Sequence, residues 1–596
     1  MSYESNIVEI IDAAEEVIDP LGGLVEKTAD EAGTPFMPEA LEQLRELKRT
    51  NRATFETLRS ELKGVGCRVV QLDQAIATDD ADDADDADAT EQTSTQADAL
   101  VSLIAGAELF HSPDRTSYVN LEVGGHRETH AIKSKGFEQY LRQKNYEETE
   151  SAVNSEAVRT AVATIEARAI FEGSKHEVHV RVAGHGGKLY LDLGDETWGA
   201  VEMDETGWRI DARPPVYFRR AAGMQPIPIP ERGGSISMLK DCLNVSNDNT
   251  FALIVAWLLA TLRDTGPYPV LVLSGEQGSA KSTFSAIIRA LIDPNTAPLR
   301  ALPRSNQELF ISASMGHLLN FDNVSYLKHE LSDTLCRLAT GGGFAVRQLY
   351  TDHDEVLFDE CRPIILNGIA EFVTRPDLAD RTIFIHLDPI PVDKRRLEEE
   401  LWAKFHAAQP KILGVLLDAV AFGLHKLPWT KLDVLPRLAD FALWGLACEG
   451  ALRDTPIFIK AYEANRDEAI ERVVESDPVA LAVRELIQTK SEWEGTATDL
   501  LIVLQGLVGY PASQSKAWPK GASVLSNRLK RAAGFLRKLG IDIEFTREGS
   551  GGTRTIRIVN LASASSASSA SSVEPADPPP NDGGNTSPVD AWSGRV

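Results

Sequence analysis

The sequence predicts an α/β protein: a core built around a phosphate-binding loop (P-loop), preceded by helical and mixed α+β regions and followed by a winged-helix-like domain. Three observations carry this. Residues 267–390 alternate short apolar strands with helices, the rhythm of a mainly parallel sheet. The stretch "VLVLSGEQGSAKSTFSAII" reads as strand, small-residue turn and helix. Residues 494–560 read as two or three helices and a terminal strand pair, with ten Lys and Arg against four Asp and Glu from 496 onward.

At 596 residues the chain is too long for one core and predicts about three or four folded units. The net charge of −27 excludes a protein that coats nucleic acid over its whole surface, although a local basic patch would still bind it. Part of the acid excess sits in "DDADDADDADAT" (79–90); the rest, with arginine favoured over lysine, suits a high-salt cytoplasm. No run reaches membrane-spanning length, and "FALIVAWLLATL" (251–262) reads as a buried helix. The N-terminus shows no basic segment or cleavage pattern, so the expectation is a cytoplasmic protein with no membrane partner. Five scattered cysteines without a C-x-x-C pair read as reduced core residues rather than a zinc site.

Residues 1–76 read as helical, with apolar side chains three and four apart in "PFMPEALEQLRELKRT" and "ATFETLRSELKGVG". The acidic repeat at 77–97 and the Ser- and Pro-rich tail at 561–596 lack the apolar content to fold. Residues 98–232 mix alternating strands, such as "HEVHVRVAG" and "GKLYLDLG", with the helix "SEAVRTAVATIEARAIF". The stretch "PIPIPERGG" then leads into the core at 233–390, which a helical connector or lid (391–493) and the C-terminal domain (494–560) follow.

In the loop, the candidate nucleotide contacts are Gly275, Gln277, Gly278, Ser279, Ala280, Lys281, Ser282 and Thr283. Glycines let backbone N–H groups approach phosphates at the positive end of a helix. Lys281 would reach the β and γ phosphates of ATP, and Ser282 would hold Mg²⁺. Ala280 stands where the usual pattern has its second glycine; it is expected at negative φ, already at the helix start. "GHLLNFDNVS" supplies Asp322 at a strand end as the metal's carboxylate. The next residue, Asn323, can orient water but cannot take its proton, which leaves Glu330 and Asp333 as the nearest bases. Asn367 ends the strand in "RPIILNGIAEF" and is a candidate sensor of the γ-phosphate. Arg381 precedes the next strand, where it would stabilise charge on a neighbouring subunit's nucleotide or pair with Asp377 or Asp380.

Loop, acid, asparagine and arginine in this order resemble the helicase domain of superfamily 3, especially the helicase halves of phage and plasmid primase–helicases. Between the acid and the asparagine, "LATGGGFAVRQLYTDHDEVLFDECRPIILN" (338–367) is similar to that family's segment at Gly341, Gly342, Arg347 and Tyr350. It departs where Gly343 and Phe344 stand in place of an aspartate. The resemblance implies an AAA+ core, a homo-oligomeric ring expected as a hexamer, and a hairpin that touches DNA through Arg347 and His353. The acid at the hairpin tip (Asp352, Asp354, Glu355) opposes phosphate contact. No paired-aspartate primase centre is seen, so priming would fall to a separate primase or replication protein.

In the C-terminal domain, "GASVLSNRLKRAAGFLRKLG" is the candidate recognition helix. Asn527 would reach base edges, and Arg528, Lys530 and Arg531 would hold phosphates. The alternative is a basic face that docks on an acidic neighbour. The expected function is Mg²⁺-dependent ATP hydrolysis by a DNA helicase or translocase of a phage, plasmid or integrated-element replication system. A DNA-binding switch or assembly ATPase without unwinding is the alternative.

Overall fold

A computed structural model describes residues 21, 23–30, 33–77, 95–347, 355–358, 360–369, 372–515, 517–547 and 554–561; of 344–347 and 355–358 it describes the backbone. The acidic run at 78–94 and the tail from 562 lie outside these residues. The chain divides into two compact units, Met1–Ala107 with Ile132–Arg168, and Glu108–Ala131 with Ala169–Val596.

In the first unit, helices Leu24–Asp30, Pro38–Thr50, Arg52–Gly64 and Val69–Ala77 place apolar side chains on one face each. These meet in a core of Leu44, Phe55, Leu62, Leu72 and Ile76. Asn51 caps the third helix by accepting from the Thr54 N–H, and Arg59 pairs with Asp73 at 2.6 Å.

In the second unit, β1 (Glu108–His111), β2 (Ser117–Val123), β3 (His126–Ala131) and β4 (Ser174–Lys175) form a sheet in the order β3-β2-β1-β4. β5 (Val178–His179) pairs with a later strand, and β6 (Val182–His185), β7 (Lys188–Asp192), β8 (Ala200–Asp204) and β9 (Gly207–Asp211) make an antiparallel meander. The partner of β5 is β10 (Tyr217–Phe218). The central sheet uses β11 (Val270–Ser274), β12 (Leu319–Phe321), β15 (Ile364–Asn367) and β16 (Thr382–His386), all parallel, in the order β12-β15-β11-β16. Its strands are mainly apolar because both faces are covered, with Asn320 of β12 a buried polar exception. Leu271, Leu273 and Ile365 face helices Asp248–Thr261 and Lys281–Ile292; Val270, Val272 and Leu366 face Asn306–Ser314 and His329–Thr340. Before β15, β13 (Phe344–Arg347) and β14 (Glu355–Phe358) pair as an antiparallel hairpin with Arg347 opposite Glu355.

The last sheet, β17 (Glu492–Thr496), β18 (Ile541–Arg547) and β19 (Arg554–Asn560), is antiparallel in the order β17-β19-β18. It packs with helices Pro478–Thr489, Ala497–Ser513 and the basic helix Ala522–Lys538. A Thr496–Asp499 capping box starts the second of these.

Several expected boundaries move. Val182, Leu191, Val201 and Met203 of the meander share one core with helices Glu398–Lys426, Ala439–Glu449 and Phe458–Ser476 and with the helix after β11. Within the second unit, the meander and the helices of 398–476 therefore share the central core, whereas residues 98–107 and 132–168 belong to the first unit. The helix Pro478–Thr489, read as connector, instead packs in the C-terminal core through Val483 and Leu486. The segment Glu398–Trp429 is long and apolar enough to cross a membrane, contrary to the expectation that no run qualifies. Of its apolar window, 56% is buried inside the protein, and the helix lies against β8, β9 and Ala439–Glu449, which accounts for its composition. None of the five cysteines forms a disulfide; four are buried and Cys361 is half-buried. Among the described residues no cluster of three or more metal-ligating side chains occurs.

Candidate functional site

Register aligns Leu273 with Asn367 and Phe321 with Leu366, so the loop after β11 and Asp322 leave the same edge of the sheet. Gly275 is at φ 151°, and a Cβ there would run into the Leu387 carbonyl oxygen, so only glycine fits. Ser279 is fully buried, its Oγ donating to the Glu276 carbonyl at 2.9 Å, while Gln277 and Gly278 are exposed. Ala280 caps the following helix at φ 60°, ψ 31°. This corrects the expected negative φ: the alanine occupies the left-handed turn that a glycine would make.

Lys281 folds its ammonium over the loop, donating to the carbonyls of Gly275 (2.8 Å) and Glu276 (2.7 Å) and to Ser279 Oγ (3.2 Å). Burial lowers its pKa from the ordinary lysine value, with Asp322 opposing. Ser282 Oγ donates to Asp322 Oδ1 at 3.2 Å, bringing a hydroxyl and a carboxylate from two elements together. Hard oxygen donors of this kind fit Mg²⁺. Thr283 is half-buried one position further along the helix.

Asn323 is also left-handed, at φ 56°, a conformation asparagine tolerates better than most residues. Its N–H lies 2.8 Å from Asp322 Oδ1 and 3.0 Å from Asn367 Oδ1, and its side chain is exposed. Asn367 is 1% exposed, with Nδ2 donating to Ser285 Oγ at 3.0 Å. Its amide ties the turn after β12, the end of β15 and the loop helix together. Of the two nearby acids, Asp333 pairs with Arg375 at 3.0 Å and Glu330 is exposed.

Arg381 sits at the other edge of the sheet, because Val270, the first residue of β11, is level with Thr382. The five residues of β11 separate that edge from the loop, roughly 17 Å at ~3.3 Å per residue. Its Nη1 donates to the Asp377 carbonyl at 2.8 Å rather than to a carboxylate, and its Nε is buried without a hydrogen-bond partner. Arg347 contributes backbone to β13; its side chain, and all of His353, lie outside the described residues.

Two features escaped the sequence reading. Asn244 Nδ2 donates to the carbonyls of Ser279 (3.1 Å) and Asp388 (2.7 Å), which fastens the lead-in to the loop. A cavity of about 280 Å³ opens there, lined by Cys242, Asn244, Thr283, Phe284, Lys394 and Arg396. The chain after β16 also closes on the loop: the Ile390 N–H donates to the Gly278 carbonyl at 3.2 Å. Arg395 Nη2 lies 3.7 Å from where a Gly278 Cβ would stand.

On the basic helix, Asn527, Lys530 and Arg531 are exposed, with Lys530 Nζ 5.4 Å over the Phe545 ring. Arg528 is not free for phosphate: its Nε pairs with Asp477 at 3.0 Å and its Nη1 donates to the Ala517 carbonyl. Lys538 pairs with Asp380 at 2.9 Å. The helix thus docks on acids by Arg528 and Lys538 and exposes basic side chains between them.

With this geometry, comparison with known proteins points first to a class, the replication proteins of mobile elements. Residues 236–469 match the family model of the actinomycete integrative conjugative element replication protein, and residues 479–572 match that of the AICE RepA C-terminal domain. Over these two segments, the first ending inside helix Phe458–Ser476 and the second starting inside helix Pro478–Thr489, the chain is similar to that replication protein. No curated protein matches. Among solved structures, the active helicase SCCmec type IV Cch aligns at 12% identity and a TM-score of 0.43, covering 77% of this chain and 93% of its own. The NrS-1 C-terminal region aligns at 13% identity and a TM-score of 0.36, covering 77% and 97%.

Proposed function

We propose that the chain is an ATP-hydrolysing, DNA-binding replication protein of an integrative conjugative element, with an AAA+ type P-loop core and a winged-helix-like C-terminal domain. The Ser282–Asp322 contact beside the Lys281 ammonium carries this reading, because it sets metal donors and a phosphate-seeking cation at the mouth of one loop. Mg²⁺, bound through Ser282 and Asp322, would neutralise charge on the phosphates of ATP. Lys281 exchanges its loop carbonyls for phosphate oxygens, and the N–H groups of 278–283 receive the rest. The base occupies the cavity beside Asn244 and Phe284, and Arg395 meets the phosphates from the outer side of Gly278.

Asn323 orients the attacking water without taking its proton, so hydrolysis is slow. Arg381, at the far edge of its own sheet, serves the nucleotide of a neighbouring subunit in a homo-oligomeric ring, taken as a hexamer with motif order like that of superfamily 3 helicases. Asn527, Lys530 and Arg531 hold DNA, with Arg347 of the hairpin as a second contact. Asn323 also favours a second reading, an ATP-dependent DNA-binding switch; strand displacement on a forked duplex separates the two.

Titration with a fluorescent ATP analogue tests the site. Lys281→Ala is expected to weaken binding about tenfold or more, a loss of ~1.4 kcal/mol. Asp322→Asn is expected to lose the Mg²⁺ dependence of binding. Wild-type affinity in Lys281→Ala would refute the site.

A further inference from the structure

Asp380 immediately precedes Arg381, and three cations from three elements converge on its carboxylate. Arg437, just before the helix Ala439–Glu449, reaches Oδ2 at 3.0 Å. Lys538, the last residue of the basic helix, reaches Oδ1 at 2.9 Å, and Arg466 of the helix Phe458–Ser476 lies 3.6 Å from the same oxygen. The Asp380 side chain is 8% exposed. Burial works against its ionisation, but Lys538 and Arg437 outweigh it and hold the carboxyl below the usual aspartate range. An isolated surface pair contributes little, whereas a nearly buried carboxylate shared by three cations is a fixed point.

Arg381 depends on that point. Its N–H donates to the Leu378 carbonyl and its carbonyl accepts from the Val270 N–H, so its backbone belongs to the turn that Asp380 anchors. Its side-chain bond, from Nη1 to the Asp377 carbonyl, is made within the same turn. The short helix Pro376–Ala379 also lies against the basic helix.

We propose that Asp380 is the positioning residue for Arg381: the helices on either side of it, and the end of the basic C-terminal helix, set through this carboxylate the turn that presents Arg381 to the next subunit. The inference rests on the reading that Arg381 acts on a neighbour's nucleotide. Because Lys538 ends the helix assigned to DNA, a shift of that helix on DNA reaches Arg381 through one ion pair.

Mixing experiments test it. Asp380→Asn is expected to bind ATP with wild-type affinity and to hydrolyse it about tenfold more slowly or worse. Mixed with Lys281→Ala protein, it should regain activity, because one partner supplies a working loop and the other a working Arg381. Arg381→Ala mixed with Lys281→Ala is the control for action between subunits. Restoration in the control but not with Asp380→Asn, or wild-type hydrolysis by Asp380→Asn alone, would overturn the positioning role. No restoration in the control would remove the reading of Arg381, and the proposal with it. Should Asp380→Asn fail to fold, Lys538→Met leaves two cations in place. It is expected to lower kcat about threefold with KM for ATP unchanged, which a purely structural contact would not do. A wild-type kcat there would equally overturn the proposal.

Discussion

Ala280 holds a left-handed backbone, at φ 60°, that costs a non-glycine residue about 1–2 kcal/mol. Glycine would relieve this strain while giving back part of the gain as chain entropy. Ala280→Gly is therefore expected to raise the unfolding free energy by about 1 kcal/mol in a urea titration; an unchanged or lower value would contradict the strain. The loop itself was legible because "GEQGSAKST" is a local pattern of spacing and side-chain size. The sign of φ at Ala280 was not, since it depends on chain more than a hundred residues away: Leu387 crowds Gly275, and Ile390 bonds to Gly278. Arg395 was invisible for a similar reason, standing in "KRRLEEE", which looks like a solvated charge run. The left-handed backbone at Asn323 suits asparagine and would strain a glutamate, so conformation and the missing carboxylate go together there.

Between elements, one buried ion pair links the meander to the loop helix. Arg181, fully buried, pairs through Nε with Asp293 Oδ1 at 3.1 Å and donates to the carbonyls of Asp192 and Gln225. Asp293 caps the C-terminal end of the loop helix, and its Oδ2 accepts the N–H groups of His317 and Leu318 ahead of β12. Arg181→Met would leave that carboxylate buried with a main partner gone, at an expected cost of about 3–5 kcal/mol. Chemical denaturation measures it, and a loss below about 1 kcal/mol would show that the pair is not structural. The pair joins residues 112 positions apart, beyond the reach of any periodicity. The basic helix shows the same division. Its amphipathic pattern was legible, but not that Arg528 and Arg537 are paired with Asp477 and Asp542.

For the whole molecule, acid sensitivity follows from buried groups that resist protonation. His317 is pushed down to about 4 by burial, with Arg362 adding to the effect and Asp293 opposing it. Its Nε2 lies 2.6 Å from the Thr261 carbonyl. Between pH 6.5 and about 4 the unfolded chain takes up a proton at this residue that the folded chain refuses. Stability from this group is therefore full above pH 6.5 and falls by about 1.4 kcal/mol per unit as the pH drops through that window. Asp293, depressed in the folded chain, adds to the loss in the same direction below the ordinary aspartate range. Urea midpoints at pH 7, 6 and 5 should decline in order, and a flat profile would contradict the buried neutral state. The parallel sheet was legible from its apolar runs. The extent of the core was not, because Pro-rich punctuation marks segments of chain, whereas Val201 and Leu416 meet in one core only in three dimensions.

The central claim, that the loop after β11 drives ATP hydrolysis, is tested most directly by the steady-state ATPase rate of the full chain with Mg²⁺, with and without single-stranded DNA, beside Lys281→Ala. The account predicts slow, Mg²⁺-dependent hydrolysis that rises with DNA and falls about a hundredfold or more in Lys281→Ala. Equal rates in the two proteins would contradict it.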